Sequence, residues 1–311
     1  MKDNKLKLED LLNDSPHHEV KAQFEYVAII GAGVMGQGIA QTVASSGIDV
    51  VIIEKDQKHL ELAKEKIQSS MRYEIERWAM TQSEMKSIMS RINWKLDLAE
   101  VSDCDLIIEA IAENYQLKRI LFKKLDEVAN PNTILVSNTS TLSLTEIASV
   151  TNRPDKIIGM HFLNPVPKVP LVELVKGMGT SDDTVTKSKA FAAKIGKTPI
   201  EVYEYPGFVT TRAIVPLLNE AMHILLEGIA SAKDIDIAMK LGYNFKMGPL
   251  ELADSMGLDE VLTWMEQLWK TLGEPRYRPC PLLRKLVRER KLGKKTKEGF
   301  FKYDNDGNIT E

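Results

Sequence analysis

Residues 26–40 constrain the fold more than any other stretch of the chain. An apolar, β-branched run from Tyr26 to Ile30 meets glycines at 31, 33 and 36, and a helical pattern follows. Gly31 permits a tight turn. Gly33 leaves room for a pyrophosphate, and Gly36 lets the helix pack close to the strand. The free N–H groups of the first helical turn favour negative charge. A second apolar run, Val50 to Ile53, ends at Glu54. An acid about 20 positions on is where a ribose 2′-hydroxyl is met. The stretch therefore predicts a dinucleotide site. A glycine turn without a ligand is the plainer reading, and the flanking strands and Glu54 argue against it.

The chain of 311 residues has room for about two domains. Its net charge of −3 gives no reason to expect nucleic acid or an anionic membrane. No apolar run approaches the roughly 20 residues of a membrane span. Residues 1–24 form a polar extension, read as neither a secretory signal nor a transit peptide. Leu6, Leu8, Leu11 and Leu12 suit a short amphipathic turn there. His17 and His18 could form a metal pair, but a flexible polar linker accounts for them better. Cys104 and Cys280 are too few for a disulfide framework or a four-cysteine zinc site. No metal is expected, and the composition fits a reducing cytoplasm.

After Glu54 a helical excursion spans 57–92, with a capping box at Thr81 and Glu84. Short strands are expected at Trp94–Leu96 and Asp105–Ile111, with an amphipathic helix from Gln116 to Val128. Further strands follow at Thr133–Ser137, Lys156–Phe162, Leu171–Val175 and Thr198–Tyr203. Ser143 and Ser181 open helices between them. Apolar strands alternating with helices predict a parallel sheet covered on both faces. The texture changes at Pro206-Gly207. From Phe208 the pattern is helical, with Ser231 as a cap and a bend expected at Pro216. The expected fold is α/β: a Rossmann-type doubly wound sheet over 25–206, followed by an all-α domain over 207–311.

Open α/β sheets bind ligands beyond the carboxyl ends of their strands. Glu113, Asn138, Ser140, His161 and Asn164 fall there. If the glycine turn holds a nicotinamide, the chemistry is hydride transfer. Oxidising an alcohol then needs a proton acceptor, which histidine supplies near neutral pH. Of five histidines, only His161 combines a strand end with a neighbouring loop. It is the candidate base, with a structural hydrogen-bonding histidine as the alternative. Glu173, an acid inside an apolar run, either orients that base or points to solvent from an edge strand. Lys64, Lys66, Arg72 and Arg77 on the excursion form a solvated face or meet the phosphates of a large substrate. Tyr115 and Lys118 miss the Tyr-x-x-x-Lys spacing of short-chain reductases.

The stretches Gly31–Gly36, Ser137–Ser140, Gly159–Pro167, Leu171–Val175, Pro206–Val209, Met247–Pro249 and Gly293–Thr296 occur in this order. Together they resemble the L-3-hydroxyacyl-CoA dehydrogenases, from about Tyr26 to Tyr303. The resemblance implies a homodimer formed through the helical domain. It also implies His161 as base, Glu173 as its orienting acid and Ser140 on the reacting oxygen. The implied NAD contacts are Glu54, Glu113, Lys118, Ser140, Asn164 and Lys295. The implied coenzyme A contacts are Ser70 and Arg77. One departure stands out. Thr211 occupies the position of the family's active-site asparagine, and a threonine hydroxyl offers one donor instead of two. Tyr243–Lys246 also departs from the family's usual residues.

The expected reaction is reversible oxidation of a (S)-3-hydroxyacyl-CoA to the 3-oxoacyl-CoA. NAD is expected over NADP because Glu54 repels a 2′-phosphate, although Lys55 stands beside it. A dehydrogenase of a free hydroxy acid or sugar acid, and a non-catalytic binding relative, are the rival readings.

Overall fold

The computed structural model describes residues 24–310, so the expected turn at Leu6–Leu12 and the His17-His18 pair lie outside the described residues. The apolar runs become strands β1 (Tyr26–Ile30), β2 (Asp49–Ile53), β3 (Ile92–Lys95) and β4 (Leu106–Glu109). They continue with β5 (Ile134–Ser137), β6 (Ile157–Phe162), β7 (Leu171–Lys176) and β8 (Thr198–Tyr203). One sheet results, in the order β3-β2-β1-β4-β5-β6-β7-β8. The third strand starts before Trp94, and the fourth is shorter than the apolar run that signals it.

Alternation along the strands supplies two cores. Val27, Ile29, Val50 and Ile52 face one side, with Ala28, Ile30, Val51 and Ile53 on the other. Helices α1 (Val34–Ser45), α2 (Gln57–Glu76) and α3 (Gln82–Ser90) cover the first face. Helices α4 (Tyr115–Val128) and α5 (Leu144–Ala148) cover the second, and α6 (Asp182–Lys194) packs on the first. The expected caps form. Thr81 and Glu84 make a reciprocal box, and Ser143 and Ser181 accept the amides three residues on. Helix α2 ends at Glu76, and Trp78, two residues on, adopts a φ of 60° that breaks the helical ladder.

The sheet is not wholly parallel. Strand β7 runs antiparallel to β6, and β8 is parallel to β7. The short connection 163–170 can reverse the chain but is too short for a parallel crossover. Strand β7 is therefore interior, between β6 and β8.

Beyond Gly207 come α7 (Thr210–Leu226), α8 (Ala232–Tyr243), α9 (Pro249–Met256), α10 (Leu258–Leu272) and α11 (Pro281–Arg288). Helix α7 continues through Pro216. Val215, Leu218, Met222, Leu250, Val261, Met265 and Leu283 form a separate core. The tail folds back onto α9. There Asp254 accepts the amides of Phe300 and Phe301 at 3.0 Å and the Tyr303 hydroxyl at 2.8 Å. Burial pushes the Asp254 carboxyl up to about 6.

Candidate active site

The glycine turn has the shape the sequence asks of it. Gly31 takes a φ of +92°, open to glycine and strained for other residues. A Cβ on Gly36 would lie 1.9 Å from the Gly31 carbonyl oxygen. A Cβ on Gly33 would meet nothing within 4 Å, so space is open at the N-terminus of α1. Glu54, at the end of β2, accepts the Ala32 amide at 2.7 Å. A phosphate cradle with a carboxylate beside it fits a dinucleotide.

Across the sheet, β6 and β7 pair so that His161 and Glu173 stand directly opposite each other. Residues so placed share one face of the sheet. His161 Nδ1 lies 2.5 Å from Glu173 Oε2, and its Nε2 lies 3.1 Å from Ser140 Oγ. Both His161 and Glu173 are buried. Burial pushes the Glu173 carboxyl up, but its hydrogen bonds to His161 and Thr210 prevail and hold it below its ordinary value. An ionised Glu173 accepts only, so Nδ1 carries the proton of a neutral ring and Nε2 presents a lone pair. Sequence reasoning left open whether Glu173 meets solvent; an interior β7 excludes that. His59, by contrast, bonds its own helix cap, Asp56, at 2.7 Å.

Ser140 is held by a second network. Glu113 Oε1 accepts Thr139 Oγ1 at 2.5 Å, the Ser140 amide at 3.0 Å and the Thr141 amide at 3.2 Å. Lys118 is wholly buried behind it, 3.0 Å from Glu109 and 2.9 Å from Glu113. The burial of Glu109 pushes its carboxyl up against the pull of Lys118. For Glu113, burial is outweighed by Lys118 and the hydroxyl and amide donors, so its carboxyl sits low. Lys118 thus supports the site through Glu113, away from the open surface.

The remaining predicted residues are spread around this centre. Asn164 is exposed on the loop after β6. Lys295, from the tail, pairs with Asp259 at the start of α10. Thr211 is buried on α7. Ser70 is exposed on α2 and Arg77 is exposed at its C-cap, and no contact joins them to the His161–Glu173 pair. Arg77 stacks over Tyr73 at 5.2 Å. Glu74, between them, pairs with Lys168 at 2.7 Å, which ties α2 to the loop carrying Asn164.

Sequence reasoning missed Thr210. Its amide reaches Glu173 Oε1 at 2.9 Å and its hydroxyl reaches Oε2 at 2.8 Å, with the Val209 amide at 3.1 Å from Oε1. A threonine opening a helix directly after the glycine break at 207 was the available signal. Thr139 and Thr141, which hold Glu113, were also missed.

Comparison with known proteins gives the family. The sequence profile of the 3-hydroxyacyl-CoA dehydrogenase NAD binding domain matches residues 26–205. The profile of the 3-hydroxyacyl-CoA dehydrogenase C-terminal domain matches residues 207–303. A probable 3-hydroxybutyryl-CoA dehydrogenase of Bacillus subtilis is 46% identical over 282 residues, covering 91% of this chain and 98% of the relative. The human mitochondrial hydroxyacyl-coenzyme A dehydrogenase is 41% identical over 287 residues, covering 90% and 91%. The crystal structure of an (S)-3-hydroxybutyryl-CoA dehydrogenase from Ralstonia eutropha superposes with a TM-score of 0.83 at 41% identity, covering 91% of this chain and all of that one. The chain belongs to the 3-hydroxyacyl-CoA dehydrogenase family, and is an NAD-dependent enzyme of that family.

Proposed function

We propose that the protein oxidises (S)-3-hydroxyacyl-CoA thioesters reversibly to 3-oxoacyl-CoA, with short acyl chains such as 3-hydroxybutyryl as its substrates. The line of hydrogen bonds Ser140–His161–Glu173 carries the reading. The names of the Bacillus and Ralstonia relatives support the short chain.

Bound NAD supplies the hydride acceptor. Gly31, Gly33 and Gly36 receive its pyrophosphate and Glu54 its adenosine ribose, with Glu113, Asn164 and Lys295 completing the cradle and Lys118 holding Glu113 from behind. His161 Nε2 takes the proton of the C3 hydroxyl. Glu173 keeps Nδ1 protonated, orients the ring and stabilises the imidazolium that forms. Ser140 holds the reacting oxygen, and the Thr211 hydroxyl serves the thioester side. Ser70 and Arg77 bind the nucleotide end of coenzyme A.

In this reading residues 25–206 carry the cofactor, and residues 207–311 complete the substrate site and form a homodimer. The dimer is supported by Ile229, Leu241 and Tyr243, which are 68%, 83% and 75% exposed on the helical part. Sedimentation should give twice the 35.0 kDa chain mass. No helix among the described residues is long and apolar enough to cross a membrane, and we assign the enzyme to the cytoplasm.

The deciding experiment is a chain-length series of 3-oxoacyl-CoA substrates followed by NADH absorbance. Highest kcat/KM is expected on acetoacetyl-CoA. Turnover of free 3-oxo acids in preference to every thioester would overturn the assignment.

A further inference from the structure

Glu173 accepts more hydrogen bonds than orienting a histidine requires. Its Oε1 takes the amides of Val209 and Thr210. Its Oε2 takes two donors at once, His161 Nδ1 at 2.5 Å and Thr210 Oγ1 at 2.8 Å. The imidazole is fixed by the β6–β7 pairing, and the hydroxyl by the first turn of α7.

Resting on the assignment of His161 and Glu173 as the acid–base pair, we infer that Thr210 is a positioning residue. Its hydroxyl shares Glu173 Oε2 with the imidazole and sets the pH range over which His161 is ready to take a proton. A carboxylate oxygen bonded by two donors has its charge spread over both. The hydroxyl is neutral, so it draws on that charge without adding a cation. Without it, Oε2 would bind the imidazolium more strongly, and the protonated pair would persist to higher pH.

The surroundings leave Thr210 this role. Ile200 of β8 is the strand neighbour of Glu173, and the Phe208 ring lies 5.6 Å from the imidazole. On α7, Arg212 is stacked over Tyr205 at 4.3 Å. On the Ser140 side the charged group is Glu113, paired with Lys118.

Thr210→Val preserves the side-chain shape and removes the hydroxyl, while Thr210→Ser retains it. The test is the pH profile of kcat and kcat/KM for 3-hydroxybutyryl-CoA oxidation by the full-length enzyme with NAD. In Thr210→Val the acid limb should move to higher pH. The rate should fall roughly three- to tenfold near pH 6 and change less than about twofold near pH 9, with the KM for NAD unchanged. Thr210→Ser should restore the parent profile. Thr210→Ala, which also lacks the hydroxyl, should reproduce the shift if the valine variant folds poorly. An unmoved limb, or a uniform loss at every pH that serine does not repair, overturns the inference. Glu173→Gln separates the two levels. Normal turnover there overturns the acid–base pair itself, whereas a crippled Glu173→Gln beside an unmoved Thr210→Val overturns only the role of Thr210.

Discussion

Glu113 accepts the backbone amide of Ser140 at 3.0 Å, so the residue facing the candidate base is held in place by a carboxylate from the end of a different strand. The same oxygen gathers Thr139 and Thr141, and Lys118 balances its charge from behind. Exchanging Glu113 for glutamine puts an amide where only acceptors fit and removes one of the two charges that Lys118 meets. A bond to a charged group contributes about 1.5–3 kcal/mol. Glu113→Gln should therefore lower kcat/KM roughly 10- to 100-fold with an unchanged circular dichroism spectrum. Full activity in steady-state assays would show that Ser140 is positioned by other means.

Lys118 lies between two acids and has no exposed side-chain surface. Lys118→Met would leave Glu109 charged, buried and without its cation, at a cost of about 3–5 kcal/mol. The pH dependence has a definite sign. Glu109 already has its carboxyl pushed above the ordinary value by burial, and loss of the lysine pushes it further. A raised carboxyl favours the folded state as pH falls, since the folded protein then binds the extra proton. Thermal melts should show Lys118→Met far less stable than the parent near pH 8, with the gap narrowing towards pH 5. A gap independent of pH would mean that packing, not charge, holds the triad.

Two glycines of one turn should respond differently to the same change. A Cβ at Gly36 meets the Gly31 carbonyl at 1.9 Å, whereas one at Gly33 meets only open space. Gly36→Ala must move backbone and should lower the melting temperature by several degrees, on the order of 2 kcal/mol of strain. Gly33→Ala should fold like the parent and weaken NAD binding by about tenfold or more, since the methyl occupies the space left for pyrophosphate. Calorimetric titration with NAD and thermal melts on both variants would check this pairing. Equal NAD affinity in Gly33→Ala would place the cofactor elsewhere.

His161→Gln keeps a polar side chain of similar reach and removes the titrating ring. Turnover should fall by about 10²- to 10⁴-fold, the usual contribution of a positioned base. NAD binding should persist, because the glycine turn and Glu54 are untouched. Stopped-flow measurement of NADH formation, beside equilibrium NAD binding, distinguishes loss of the base from loss of the site.

What could be read from the chain was local or periodic. The glycine turn, the alternating strands and the caps at Thr81, Ser143, Ser181 and Ser231 depend on neighbours a few residues away. His161 stood out because a strand ended there. The reversal of β7 was legible only in the short connection 163–170, too short for a parallel crossover, and the strand–helix alternation elsewhere pointed the other way. Thr210 escaped notice because its partner Glu173 lies 37 positions earlier, and only the docking of α7 on the sheet brings them together. Glu113 drew attention as a strand-end acid, but its grip on the 139–141 turn depends on β4 and β5 lying side by side.

The pairing of β6 with β7 has a consequence for how enzymes of this design can diversify. His161 and Glu173 occupy one rung of the ladder, with Met160 and Leu174 on the next. Their separation is set by the ladder and owes nothing to the segment 163–170 that joins the strands. Insertions, deletions or replacements in that segment can reshape what enters from above while the proton-transfer pair stays at its distance. A single residue gained inside either strand would turn one of the two side chains to the opposite face. Tolerance to a change of length should therefore shift abruptly at Phe162 and Leu171: the loop between them is constrained by Asn164 and by buried Val166, but the rung holding the pair is constrained by two strands that cannot slip.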